Sequence, residues 1–135
     1  MNKENKSTST PSVMALSYLG DARHSLYVRK MLVERGLSKS RDLNSAALSY
    51  VTAEAQAGAY LKIEDLLTEE ERDTFRRAFN STHLNKPKHA SGRDYRVATG
   101  YEAVIGLLEW RGDSERLEFI LNESYKEDKD DDTEN

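Results

Sequence analysis

The apolar and polar positions of this chain repeat with a helical period through most of its length. Ala15, Leu19, Ala22 and Leu26 fall at i, i+4, i+7 and i+11. That spacing predicts an amphipathic helix from about Pro11 to Arg35, with Gly36 as its stop. Ala46, Tyr50, Ala53, Ala57 and Leu61 repeat the pattern and predict a second, Ala-rich helix from about Ser40 to Lys62. Thr68 and Glu71 have the spacing of a capping box, in which each side chain bonds the other's backbone N–H, and they open a third helix from Glu69 to about Asn80. From Asn80 to Gly92 the period is lost and Pro87 intervenes, which reads as a loop. A fourth helix is expected from about Arg93 to Trp110. A fifth runs from the N-cap residue Asp113 to about Tyr125, turning Leu117, Ile120 and Leu121 inward. No run alternates for long enough to make a strand, so the expected fold class is all-α, one domain over residues 12–125. Residues 1–11 and 126–135 are polar and read as disordered tails.

Two short motifs stand out against this helical background. The first is Ala15-Leu16-Ser17-Tyr18-Leu19-Gly20-Asp21-Ala22, and the second is Thr99-Gly100-Tyr101-Glu102-Ala103-Val104-Ile105-Gly106. Each sets one carboxylate among small residues in a run that otherwise resembles core. Desolvating a carboxylate costs several kcal/mol unless a cation or hydrogen bonds compensate it. Neither motif contains an obvious basic partner, so a divalent cation is the expected compensation. Hard oxygen ligands suit Mg²⁺, an ion that meets substrate phosphates, and the residues point to a phosphodiesterase. Ser17 and Ser25 share the face of Asp21, and Thr99 that of Glu102. Gly20, Gly100 and Gly106 each cost roughly 1 kcal/mol inside a helix. Such positions either leave room for a hydrated ion and a phosphate or permit close backbone packing.

Charge changes the picture in one place. The chain has 135 residues and a net charge of −4, but the acidic tail from Lys126 carries that whole excess. Between Arg72 and Arg96 the balance is strongly basic, so Arg76, Arg77, Lys86, Lys88, Arg93 and Arg96 are either a solvated helix face and loop or candidate phosphate contacts on a nucleic acid. The absence of cysteine excludes disulfides and thiolate metal sites and fits a reducing, cytoplasmic address. No apolar run approaches the roughly 20 residues needed to span a bilayer. His24, His83 and His89 lack ligand spacing and are expected at the surface or in loops. Tyr27, Tyr60, Tyr101 and Trp110 are expected as core or dimer contacts.

The Leu-Gly-Asp-Ala run at 19–22 resembles the signature helix of the ribonuclease III family. The Tyr-Glu-Ala-Val-Ile-Gly run at 101–106 resembles that family's second acidic motif, and an Ala-Glu-Ala-Gln-Ala stretch at 53–57 lies between them as it does there. The resemblance covers about residues 12–125 and leaves no segment for a separate double-stranded-RNA-binding domain. In this the chain is similar to the Mini-ribonuclease III branch. The resemblance implies that Asp21 and Glu102 are the catalytic, metal-binding residues, with Mg²⁺ (or Mn²⁺ in its place) as cofactor. It implies a helical bundle forming a two-fold homodimer. It implies cleavage of double-stranded RNA, such as a large-subunit (23S) ribosomal RNA precursor carrying ribosomal proteins, to 5′-phosphate and 3′-hydroxyl ends. Two further acids of full-length family members correspond to Ser17 and Thr99, which cannot ionise and so put a second metal in question. The rival readings are a non-catalytic ribosome-assembly protein on the same fold, which would be expected to lose a carboxylate, and a nucleotide phosphohydrolase, which would usually carry a His-Asp pair.

Overall fold

The computed structural model describes residues 9–81 and 92–126, and every regular element among them is helical. Helix α1 spans Val13–Glu34, α2 Ser40–Val51, α3 Ala53–Ile63, α4 Glu69–Ser81, α5 Gly92–Arg111 and α6 Ser114–Ser124, with a single 3₁₀ turn at Glu64–Leu66. The expected loop between α4 and α5, the N-terminal tail and the acidic tail fall almost wholly outside the described residues.

Local chemistry accounts for the helix ends. The Ser12 hydroxyl accepts from the Ala15 N–H at 3.1 Å and opens α1. After α1, Gly36 takes the left-handed conformation that a helix stop requires, with φ of 95°. The capping box forms in full. Thr68 N–H donates to Glu71 Oε1 at 2.9 Å, and Glu71 N–H donates to Thr68 Oγ1 at 3.2 Å. Asp113 caps α6 by accepting from the Arg116 N–H, and Leu117, Ile120 and Leu121 are buried as expected.

Two expectations fail. The Ala15, Leu19, Ala22, Leu26 stripe of α1 faces outward: Ala15, Ala22 and Leu26 are exposed and Leu19 is half-buried. The buried face is instead Val13, Leu16, Ser17, Gly20, His24, Tyr27, Val28 and Met31. The two faces have similar hydropathy, so the close approach of α5, and not apolarity, decides which turns inward. The expected Ala-rich second helix is two helices, broken at Thr52. That residue is extended (φ −69°, ψ 157°), and its hydroxyl accepts from the Ala55 N–H at 3.2 Å. A Thr side chain that bonds the backbone favours a cap over a helix interior. The break turns Gln56, Ala57, Ala59, Tyr60 and Ile63 inward and leaves Leu61 65% exposed.

The core is organised around α5, which packs on α1, α3, α4 and α6. Tyr101, Val104, Ile105 and Leu108 of α5 meet Tyr27, Met31, Tyr60, Ile63, Ile120 and Leu121 in the larger cluster, so the tyrosines at 27, 60 and 101 are core residues. Val13, Leu16, Ala78, Ala103 and Leu107 form a smaller cluster with Trp110 against it. Arg23 binds α1 to its neighbours through Glu109 at 3.1 Å and Glu118 at 2.8 Å. No helix among the described residues is long and apolar enough to cross a membrane.

Candidate active site

The two acidic motifs meet where α1 crosses α5. A Cβ at Gly20 would lie 1.7 Å from the Glu102 carbonyl oxygen, and one at Gly106 would lie 1.8 Å from the Leu16 carbonyl oxygen. No side chain fits at either position, so the backbones touch and the helices run antiparallel. Gly100 is filled by the Phe75 ring, 2.4 Å from where its Cβ would sit. These glycines therefore do not open space for an ion or a phosphate. They let the helices close, and the closure sets Asp21, one residue past Gly20, beside Glu102.

Glu102 is half-buried and its carboxylate is held at both oxygens. Ser17 Oγ donates to Oε1 at 3.3 Å, and Gln56 Nε2 donates to Oε2 at 3.1 Å. Burial, together with the adjoining Asp21 carboxylate, raises the Glu102 pKa to about 8, against the opposing pull of Gln56 and Ser17. Asp21 is exposed. Among the described residues no lysine or arginine pairs with either carboxylate. The matching hydroxyl on α5, Thr99 Oγ1, donates to its own helix at Tyr95 O, 2.9 Å away.

His24 corrects an expectation. It is fully buried, at 0% exposure, and its pKa is lowered to about 4 by desolvation, against the opposing influence of Asp21. Gln56 bonds Glu102 although nothing in the motifs marks it. It sat within the Ala-Glu-Ala-Gln-Ala run, and a lone amide on an Ala-rich inward face was the available signal.

The basic candidates separate. Arg76 and Arg77 are exposed on α4, where both pair with Asp73, and Arg93 is exposed at the start of α5. Arg96 is engaged in packing: its guanidinium stacks over the Phe79 ring, 4.4 Å from the centroid, and its Nε donates to the Phe79 carbonyl at 3.1 Å. Lys86 and Lys88 lie outside the described residues, as do His83 and His89. A cavity of about 530 Å³ lies between α3, α4 and the start of α5, lined by Tyr60, Phe75, Phe79, Arg76 and Arg93 among others. It is mainly apolar and neither carboxylate lines it, so chemistry and cavity are separate features.

A half-buried Glu102 and an exposed Asp21, in contact and with no protein cation on them among the described residues, are the two residues that could hold a divalent metal. The donors are all hard oxygens, which fits Mg²⁺. Among the described residues no group of three potential ligands occurs, so beyond Asp21 and Glu102 substrate and water would have to complete the coordination.

Comparison with known proteins accords with this geometry. The Ribonuclease III domain family matches residues 14–113. A Mini-ribonuclease 3 of Symbiobacterium thermophilum is 42% identical over 108 residues, 80% of this chain and 83% of that protein. A Mini-ribonuclease 3 of Streptococcus pneumoniae is 39% identical over 111 residues, 81% of this chain and 87% of that protein. A crystal structure of a Fusobacterium nucleatum protein superposes with a TM-score of 0.79 at 31% identity, covering 87% of this chain and 93% of that one. The chain belongs to the ribonuclease III family, in its Mini-ribonuclease 3 branch. With that membership it is an endoribonuclease of the all-α ribonuclease III fold.

Proposed function

We propose that this chain is a Mg²⁺-dependent endoribonuclease that cuts double-stranded RNA as a homodimer, with a large-subunit ribosomal RNA precursor as its substrate. The observation that carries the reading is the Asp21–Glu102 pair: two like charges pressed together by a glycine crossing and left without a basic side chain. Asp21 and Glu102 would hold the cation. When bound, Mg²⁺ lowers the pKa of water and stabilises negative charge on the phosphate. The chain's own part is orientation. Ser17 and Gln56 fix the Glu102 carboxylate, and Asp21, exposed, faces the RNA.

For a duplex, a two-fold dimer offers one site per strand. The outward face of α1 supports such an assembly: Tyr18 is 84% exposed beside Met14, Ala15, Ala22 and Leu26. An apolar stripe of that kind marks a contact surface, and it runs beside Asp21. Arg76, Arg77 and Arg93, with Lys86 and Lys88, are the proposed phosphate contacts, while Arg96 serves to place α4 against α5. A-form RNA is read through shape and backbone, which suits a basic surface.

The test is cleavage of long double-stranded RNA with Mg²⁺ or with chelator, alongside light scattering. Metal-dependent double-strand cuts and a mass near 31 kDa, twice the 15.4 kDa of the chain, are expected. Equal cleavage in chelator would overturn the metal reading, and a monomer cutting both strands together would overturn the paired-site reading.

A further inference from the structure

We propose that Gln56 is a positioning residue for Glu102, itself held by His24 and Tyr125, so that a buried hydrogen-bonded line running from α3 through α1 to the end of α6 presents Glu102 to the metal. Gln56 is 2% exposed on α3. Its Nε2 lies 3.1 Å from Glu102 Oε2 and 3.3 Å from His24 Nδ1. On its other side, His24 Nε2 lies 2.5 Å from the hydroxyl of Tyr125, the C-cap of α6.

Hydrogen-bond chemistry fixes the direction of this line. As a metal ligand Glu102 would be ionised and could only accept, so the amide turns its NH₂ and not its oxygen toward it. That group has two hydrogens, and the second meets His24 Nδ1. A ring nitrogen that accepts carries no proton, so the His24 proton resides on Nε2 and is donated to Tyr125. Each member thus removes one freedom from the next: the carboxylate fixes the amide's direction, the amide fixes the tautomer, and Tyr125, whose hydroxyl accepts from Nε2, holds the ring in place behind the amide. Ser17 holds the other edge. Outer partners of this kind orient metal ligands and are commonly worth about 10- to 100-fold in affinity.

The proposal rests on the metal-ligand reading of Asp21 and Glu102, and the experiment keeps the two apart. Mn²⁺ alone is titrated by electron paramagnetic resonance into the full chain without RNA, using wild type, Asp21→Asn, Gln56→Met and Tyr125→Phe. Cleavage of double-stranded RNA is then resolved into kcat and KM. Gln56→Met keeps the volume and removes both donors. It is expected to weaken Mn²⁺ binding about tenfold and to lower kcat while KM for RNA stays within about twofold. Tyr125→Phe deletes one hydroxyl at the far end of the line and should weaken Mn²⁺ binding by about threefold. Wild-type Mn²⁺ affinity in Gln56→Met, with affinity lost in Asp21→Asn, would overturn the positioning role and leave the metal site standing. Wild-type affinity in Asp21→Asn would remove the site and the proposal with it. Should Gln56→Met not fold, Tyr125→Phe decides: unchanged affinity there refutes the aiming by His24.

Discussion

Glu71 and Glu102 are two carboxylates set against the core by helices of the same bundle, and their neighbours give them opposite roles. Glu71 is 3% exposed, and burial alone would push its carboxyl up. Arg116 donates to it through Nε at 3.0 Å and through its NH₂ at 2.8 Å, Thr68 N–H adds a third bond, and its pKa is lowered overall. Glu102 has hydrogen-bond donors of its own in Ser17 and Gln56, but its charged neighbour is Asp21, and its pKa rises. One region completes a charge pair and ties α4 to α6. The other sets two acids together with no basic partner among the described residues, the feature on which the proposed cation site rests. The difference teaches that burial alone does not set an acid's state: the charge the fold places beside it does, lowering Glu71 and raising Glu102.

The sharpest way to break the comparison is to neutralise each acid in turn. Asp21→Asn or Glu102→Gln should lower cleavage by at least about a hundredfold, because an amide cannot supply the ligand charge, with folding and RNA retention intact by circular dichroism and filter binding. Wild-type turnover in either variant would remove that residue from the chemistry. On the structural side, Arg116→Met should cost about 2 kcal/mol in denaturant unfolding by leaving Glu71 buried without its partner, while activity per folded molecule is kept.

The crossing that makes the difference can be tested on its own. Gly20→Ala places a methyl against the Glu102 carbonyl, which forces α1 from α5. A loss of about 2 kcal/mol by overpacking is expected, with a larger relative loss of cleavage than Arg116→Met at equal destabilisation.

A smaller effect is the pH dependence of stability without metal. Glu102 binds its proton more tightly in the fold than in the unfolded chain. Its contribution is therefore fully present below the ordinary carboxylate value of 4.5 and lost as pH rises through about 8. His24 acts at the acid end: its folded value of about 4 lies below 6.5, so stability falls as pH drops from 6.5 toward 4. Thermal melts in chelator should show Glu102→Gln gaining on wild type with rising pH, by about 1–2 kcal/mol near pH 8.5 after allowance for partial exposure. Added Mg²⁺ should shrink the gap. A constant gap across pH would show that Glu102 carries no unfavourable charge.

Local signals made several elements legible. Gly36, the Thr68–Glu71 box and Asp113 act within a few residues of themselves, and the sequence spacing alone determined the helix ends they make. Asp21 and Glu102 were legible too, because a lone acid among Gly and Ala is conspicuous wherever it falls. What the sequence left open depended on contacts between segments far apart in the chain. Two faces of α1 were similarly apolar, and only the approach of α5 at Gly20 and Gly106 chose the one carrying His24 inward. The Thr52 break and its consequence for Gln56 followed from the same packing: a hydroxyl cap competes with a helix interior on nearly equal terms until neighbours decide. Which acid would gain an arginine and which would meet another acid was likewise settled only in three dimensions, since electrostatic energy depends on distance through space and not on separation along the chain.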